Sequence, residues 1–435
     1  MKRLYKLINW NNGIVVLYGI TLVLVLLRGP SYFPDSYAHI NMHINRSILY
    51  SLFVNIPSLM WHQHNGYAMI AIQFLVFVCS TEYFLKQVKD VFNLSSFAYL
   101  CLVLVFCFIA IAIHPFVNFI LSEALAYPLL IICIGLVINL WKNASIKQLI
   151  YFFIAYFLLI VTRNHFAILL PVFLIPLVWR MKSFTNVRFA STILFLIILT
   201  PFLSKLTERI YYNITLKEDI GYTMTYVHLI GIPFYVSSLE DQHMFQNEEE
   251  LAFFVRTKRL MDKKHLSYNY AKKNSFDELT YFQDNFSNIC NQSVHEANLD
   301  YYKNKGLSIY DQHREVDKIT SKLFFPLLKA NFINWSKIVL KGFKRGLGGQ
   351  GAMIILVFVI IGIVFYQYDL QLLSLFIFWI LVMKLAHHFF IALVGSNENR
   401  YLFYFDWVIP FFIIIMADKL LIFKKLINKD LINGV

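Results

Sequence analysis

Charged residues are scarce in this chain of 435 residues, and their scarcity excludes an ordinary water-soluble protein. Asp, Glu, Lys and Arg make up 15% of the sequence, whereas a soluble domain carries about 25%. Hydrophobic residues account for 58% and aromatic residues for 17%, which excludes a disordered chain. The composition is that of an integral membrane protein with several spans.

Cysteine and glycine are also few, with 5 and 16 residues. Four cysteines lie in apolar runs and Cys290 has no partner in its polar segment, so no disulfide framework is expected. The low glycine content excludes a collagen-like chain. The N-terminal MKRLYKLINW precedes an apolar run without a small-x-small cleavage site. We expect an uncleaved membrane anchor there.

Apolar runs predict an all-α polytopic protein with about ten transmembrane helices. The candidate spans are 13–28, 68–87, 96–114, 116–141, 147–162, 165–179, 188–205, 351–367, 369–386 and 401–423. They define a transmembrane module at 1–204 and a second one at 346–435, which ends in a basic tail.

Between these modules, residues 205–345 carry 20 basic and 17 acidic residues, the charge content of a water-compatible domain. Outside it, 14 of 19 basic residues fall on one side of the predicted topology, together with both termini. Basic residues in short loops mark the cytoplasmic side, so we expect both termini inside and segment 205–345 outside. The net charge of +13 therefore reflects membrane topology and indicates no nucleic-acid partner.

Four polar clusters are predicted to meet the outer membrane face. The first outer loop, 29–67, contains the lone carboxylate Asp35. An amphipathic loop that lies on the membrane is the alternative interpretation, but it does not explain why this carboxylate is there. Glu123 interrupts an apolar run, where a charge usually faces a bundle interior or cavity; a helix-packing role is the alternative. The remaining clusters contain Arg163 with His165, and Arg400 with Tyr401. Together they indicate chemistry on an amphiphilic substrate at the outer interface.

The segments that carry these clusters resemble the GT-C superfamily of membrane glycosyltransferases. They read FPDSYAHI after the first span, then ILSEALAYPLLI, TRNHFAILLP and NRYLFYFDWVIPF. The overall layout is loosely similar to serotype-converting glucosyltransferases that modify O-antigen. This resemblance implies a polyprenyl-phosphate-sugar donor, an extracytoplasmic site and an essential acidic residue in the first outer loop.

The resemblance and the predicted position of the polar clusters at the outer interface assign roles to individual residues. The resemblance implies Asp35 as the catalytic base of an inverting transfer, and the outer-half position of Glu123 assigns it to the same cavity. Arg163 and Arg400 would bind the donor phosphate beside His165 and Tyr401. No cofactor is firmly implied. Asp35 is followed by Ser36 and Tyr37 rather than a second Asp, so the D-x-D form linked to a divalent metal in part of the superfamily is absent.

The expected partners are the lipid-linked donor, a glycan, lipid-linked or protein acceptor, the bilayer, and donor-synthesising and flippase proteins. The expected location is a bacterial inner membrane. Segment 205–345 is predicted to be a mostly helical domain that selects the acceptor, ending in a basic amphipathic helix on the membrane. A polysaccharide polymerase or ligase is the first alternative, and a non-enzymatic glycolipid transporter is the second.

Overall fold

A computed structural model describes residues 10–42, 46–57, 65–142, 145–181, 187–216, 225–348, 351–367, 371–395 and 399–433. The described residues are helices joined by turns and loops, and they contain no strand beyond one isolated bridge between Ser31 and Phe119. The predicted all-helical class is confirmed.

The chain divides into two compact units. Unit 1 comprises Met1–Leu206, Val359–Met383 and Phe403–Val435, and unit 2 comprises Thr207–Phe358 and Lys384–Leu402. The helices up to the start of unit 2 are α1 (Trp10–Arg28), α2 (Pro34–Ile40), α3 (Ile48–Val54), α4 (Gly66–Phe92), α5 (Ser96–Phe108), α6 (Glu123–Lys142), α7 (Ile146–Thr162), α8 (Leu170–Met181) and α9 (Val187–Leu216).

The next eight described helices belong to unit 2. They are α10 (Thr225–Leu229), α11 (Gly231–Val236), α12 (Glu248–Lys263), α13 (Tyr268–Lys273), α14 (Glu278–Asp284), α15 (Ala297–Asn304), α16 (Ile309–Ala330) and α17 (Phe332–Gly346). The last four are α18 (Gly351–Gln367), α19 (Gln371–Val394), α20 (Asn399–Leu402) and α21 (Val408–Asn433).

Each of the ten predicted spans coincides with a helix, and four helices are long and apolar enough to cross a membrane. These four are Gly66–Phe92, Ser96–Ile113, Glu123–Lys142 and Gln371–Val394. The count of ten stays a prediction. Two predicted starts are wrong: the last long helix begins at Val408 rather than at residue 401, and the fourth span begins at Glu123 rather than at residue 116. Residues 116–118 form a 3₁₀ turn, so Glu123 opens its helix instead of interrupting it.

Side-chain caps set where several of these helices begin. Asn65 accepts a hydrogen bond from the backbone N–H of Ala68, and Ser95 does the same for Ala98. Such caps satisfy N–H groups that have no partner within the helix. Asn93 adopts φ 49° and ends α4 in the left-handed conformation that commonly closes a helix. A cap at each end thus fixes the tight connection from α4 to α5.

Helices α4 and α6 run parallel in close contact at the centre of unit 1. Phe77 of α4 lies 6.4 Å, ring to ring, from Tyr127 of α6. A second close contact lies about two turns further along both helices. A Cβ atom at Gly135 of α6 would lie 3.2 Å from the Cα atom of Phe84 and 3.0 Å from the Tyr83 ring of α4. Glycine therefore permits a backbone approach that any larger residue would oppose.

Unit 2 has its own apolar core, built from α10 to α17 and the chain around Ala392. Phe234 stacks on Phe254 at 5.7 Å between ring centroids. His295 and His313 are both buried, and their ring nitrogens Nε2 and Nδ1 are 2.9 Å apart. Burial, followed by the neighbouring His313 and His228, lowers the pKa of His295 to about 3. His295 is therefore neutral at physiological pH, and both histidines belong to the core.

Candidate functional site

The first part of the candidate site is an ion pair within the first loop. Asp35 lies in the first turn of α2, where the helix dipole favours a carboxylate. Arg46 Nη2 lies 2.8 Å from its Oδ1 atom, and the two side chains are 33% and 30% exposed. The predicted base is thus reachable from solvent and is held by a cation that sequence analysis did not select.

His39, one helical turn after Asp35, connects this ion pair to the bundle. It is buried, its Nδ1 atom is hydrogen-bonded to Ser51 Oγ at 3.1 Å, and its ring meets Tyr50 edge-on at 4.9 Å. The pKa of His39 is lowered to about 3, mainly by burial; Arg46 and Arg163 also lower this pKa, and Asp35 raises it. His39 therefore lies within electrostatic reach of both arginines and the predicted base.

A buried hydrogen-bond frame positions the loop against the bundle. Tyr50 Oη donates to Gln73 Oε1 at 3.0 Å, and Gln73 Nε2 donates to the carbonyl oxygen of Val117 at 2.7 Å. Asn118 Nδ2 donates to the carbonyls of Val25 and Gly29, both at 2.8 Å. The frame joins both ends of the first loop to the segment that precedes Glu123.

Glu123 and Arg163 form the second ion pair, and this pair is buried. Their Oε1 and Nη1 atoms are 2.9 Å apart, and the side chains are 2% and 14% exposed. Arg163 Nη1 also donates to Tyr404 Oη at 3.1 Å. Burial raises the pKa of the Tyr50 phenol, and the Glu123 carboxylate raises it further. The second pair is therefore close to the frame that holds the first.

His165 lies beside this pair, in the 3₁₀ turn Asn164–Leu169. Its ring centroid is 4.3 Å from that of Phe166 and 6.3 Å from that of Tyr404. The structure thus brings Asp35, Glu123, Arg163 and His165 into one part of unit 1. Arg400 and Tyr401 belong to α20 in unit 2. The Arg400 side chain lies outside the described residues, so the predicted role of both residues in phosphate binding stays a prediction.

A third pair was missed by sequence analysis. His114 Nε2 lies 3.0 Å from Asp406 Oδ2, with side chains 19% and 34% exposed. His114 ends a π-helical stretch, Ile109–Ile113, and its ring packs 5.2 Å from Phe403. Such π-helical stretches are frequent at functional sites. The signal in the sequence was the pair His114–Pro115 that interrupts an apolar run.

Polar groups also occur at the opposite end of α4. Glu82 accepts hydrogen bonds from Tyr18 Oη at 2.9 Å and from Tyr99 Oη at 2.7 Å. A transporter would need a polar path through the inner half of the spans. Glu82, Ser80 and Thr81 are polar residues towards that end of α4, and the last two are buried.

Within the part of the chain that the structure describes, no three His, Cys, Asp or Glu side chains form a group that could hold a metal ion. In comparisons with known proteins, no family model, curated protein or solved structure matches this chain. The geometry of the site and the resemblance of the motifs are therefore what indicate a function.

Proposed function

We propose that this chain is a membrane glycosyltransferase of the GT-C type. It transfers a sugar from a polyprenyl-phosphate donor to a glycan, lipid-linked or protein acceptor at the extracytoplasmic face of the membrane. The proposal includes ten spans, cytoplasmic termini and an inverting mechanism. The observation that carries it is the meeting of Asp35, Arg46, Glu123 and Arg163 at one end of an apolar bundle.

The two carboxylates suit different roles because their exposure differs. Asp35 is 30% exposed and can meet an acceptor hydroxyl, whereas Glu123 is 2% exposed and is engaged by Arg163. Asp35 is therefore the general base. Glu123 is a positioning residue that holds the Arg163 guanidinium at the site.

The reaction follows from these roles. The acceptor oxygen attacks the anomeric carbon while Asp35 takes the hydroxyl proton. The bond between that carbon and the phosphate oxygen breaks, and polyprenyl phosphate leaves with the electron pair. Negative charge grows on the departing phosphate, and arginines stabilise such charge through paired N–H groups. Arg46 and Arg163 are the cations that support this step.

The test uses the purified protein in liposomes with a panel of radiolabelled polyprenyl-phosphate hexoses and lipid-linked acceptors. Asp35→Asn keeps the shape of the side chain and removes its basicity. We expect transfer to fall by roughly 10²-fold or more, the usual contribution of a general base. Asp90→Asn is the matched control, because Asp90 pairs with Lys142 in an exposed ion pair, 3.7 Å apart.

Each alternative gives a different result in this assay. A polymerase or ligase would extend or transfer a lipid-pyrophosphate glycan and leave the single-sugar donors unused. A transporter would move the donor between leaflets without forming a glycosidic bond, and Asp35→Asn would leave that movement intact. Substantial transfer by Asp35→Asn would show that another residue is the base.

A further inference from the structure

The outward face of α17 and the end of α16 form a mixed apolar and basic surface. Its apolar members are Phe325, Phe332, Ile333 and Leu340, which are 64%, 55%, 69% and 59% exposed. Soluble surfaces rarely expose large apolar side chains together. We call this set, with the three lysines described next, the α17 face.

Three exposed lysines alternate with these apolar side chains. Ile333, Lys337, Leu340 and Lys344 follow one another at helical spacing along a single stripe, and Lys329 precedes them at the end of α16. None of the three lysines forms an ion pair with a described residue. Positive charges and apolar side chains therefore lie next to each other along one side of α17.

The other cations of α17 behave differently. Lys341 pairs with Asp277 and with Glu278 at 3.1 Å, and Arg345 lies 3.7 Å from Asp277. The Asp277 and Glu278 partners raise the pKa of Lys341. Carboxylates of unit 2 thus neutralise Lys341 and Arg345. The lysines of the α17 face can instead bind an external anion.

The chain itself indicates what that anion belongs to. The apolar helix α18 begins five residues after the last residue of α17, and its Leu356 and Val357 are 58% and 50% exposed. A helix this apolar and this exposed is stable in lipid rather than in water. The α17 face is therefore within a few residues of a bilayer surface, where buried apolar side chains and lysines near anionic headgroups act together.

We propose that the α17 face lies in the headgroup region of the membrane and binds anionic phospholipids, with Phe325, Phe332, Ile333 and Leu340 reaching the acyl boundary. Lys329, Lys337 and Lys344 contact lipid phosphates. The surface anchors unit 2 to the bilayer independently of the proposed glycosyl transfer.

The experiment places an environment-sensitive fluorophore on Ile333→Cys in the full-length protein, with Cys79 and Cys101 replaced by Ser. The protein is reconstituted into nanodiscs of phosphatidylcholine with or without phosphatidylglycerol. We expect the emission to shift to the blue and iodide quenching to fall at least several-fold with phosphatidylglycerol. The control label at Lys318→Cys, 55% exposed on α16, stays quenched in both lipids.

Charge reversal then tests the lysines. Lys329→Glu, Lys337→Glu and Lys344→Glu together should restore quenching at position 333. The matched triple of Lys272→Glu, Lys273→Glu and Lys303→Glu changes three other exposed lysines of unit 2 and should have no effect. If iodide quenches the label at position 333 equally in both lipids, the α17 face does not contact the membrane, and the proposal is overturned in favour of a protein partner. An equal blue shift without phosphatidylglycerol, or equal effects of both triples, would overturn the selection of anionic lipids.

Discussion

At the scale of residues, the site contains one ion pair that is partly exposed to solvent and one that is buried. The Asp35–Arg46 pair is about one third exposed, and the Glu123–Arg163 pair is almost fully enclosed. An exposed pair exchanges partners at little cost, since such pairs contribute about 1 kcal/mol or less. A buried pair is costly to break, because either partner left alone is a charge without solvent. The first pair is thus suited to admitting a substrate and the second to holding the site in place.

We predict that Glu123→Gln destabilises the protein by about 3 kcal/mol, because it leaves the Arg163 charge buried beside a neutral side chain. The measurement is thermal unfolding in detergent for Glu123→Gln, for Arg163→Met and for the double variant. Removing both charges should cost less than the two single changes added together.

Additive losses in this cycle would mean that the two residues act independently and that Glu123 has no positioning role. A stable Glu123→Gln protein that has lost transfer would move Glu123 into the catalytic machinery instead.

The buried His39 makes a prediction about pH. The pKa of His39 is about 3 in the folded protein, against an ordinary value of 6.5. Between pH 6.5 and pH 3, His39 is therefore protonated in the unfolded chain and neutral in the folded one. Its contribution to stability is complete above pH 6.5 and falls as the pH approaches 3. The slope is about 1.4 kcal/mol per pH unit.

The check is the unfolding midpoint from pH 7.5 to 5 for the wild-type protein and for His39→Gln. The wild-type protein should lose stability on acidification relative to the variant, which has no titrating group at this position. Parallel pH profiles would show that His39 is protonated in the folded protein.

At the scale of elements, the sequence predicted helices well and their contacts poorly. Runs of apolar residues locate each helix because hydrophobicity and length alone set a span, and caps such as Asn65 and Ser95 lie just before the observed starts. The error at residue 116 arose because Phe116 and Val117 are buried in irregular backbone rather than in a helix. Their apolarity reflects burial and gives no information on backbone conformation.

The pairs in the site could not be predicted from local pattern, since their members are far apart in sequence. Glu123 and Arg163 are held together by the packing of α6 against α7, and His114 meets Asp406 across 292 positions. Asp35 was predicted from its position in the first outer loop and from the motif resemblance, whereas Arg46, eleven residues later, was passed over. A cation next to a lone carboxylate in an amphipathic loop was the usable signal.

The parallel packing of α4 and α6 makes a prediction at this scale. Gly135→Leu places side-chain atoms where a Cβ alone would already lie 3.2 Å from the Phe84 Cα atom. We expect a loss of about 1–3 kcal/mol from overpacking, measured as a lower unfolding temperature. Gly19→Leu in α1 is the control, because a Cβ there meets nothing within 4 Å. Leucine also favours helix over glycine, so equal losses at both sites would contradict close packing at Gly135.

At the scale of the whole molecule, the two units differ in whether their charged side chains are buried or exposed. Unit 1 encloses buried carboxylates with polar partners, Glu123 with Arg163 and Asp418 with Ser95, whereas unit 2 carries a network of exposed pairs around Asp277 and Lys341. The first pattern is that of polar groups enclosed in an apolar bundle, and the second is that of a protein surface in water. This difference supports the predicted placement of segment 205–345 outside the membrane.

Topology provides the last prediction. If basic residues in short loops mark the cytoplasmic side, the end of α4 faces the cytoplasm and the charged segment faces outward. A membrane-impermeant maleimide should label Lys272→Cys in intact cells, because this residue is exposed in unit 2. Asp90→Cys, which replaces a residue 56% exposed near the end of α4, should react only after the cells are permeabilised. Both variants carry Cys79→Ser to remove the exposed native thiol. Labelling of both positions from the same side would overturn the assigned orientation, because the five predicted spans between Asp90 and Lys272 put these positions on opposite sides of the membrane.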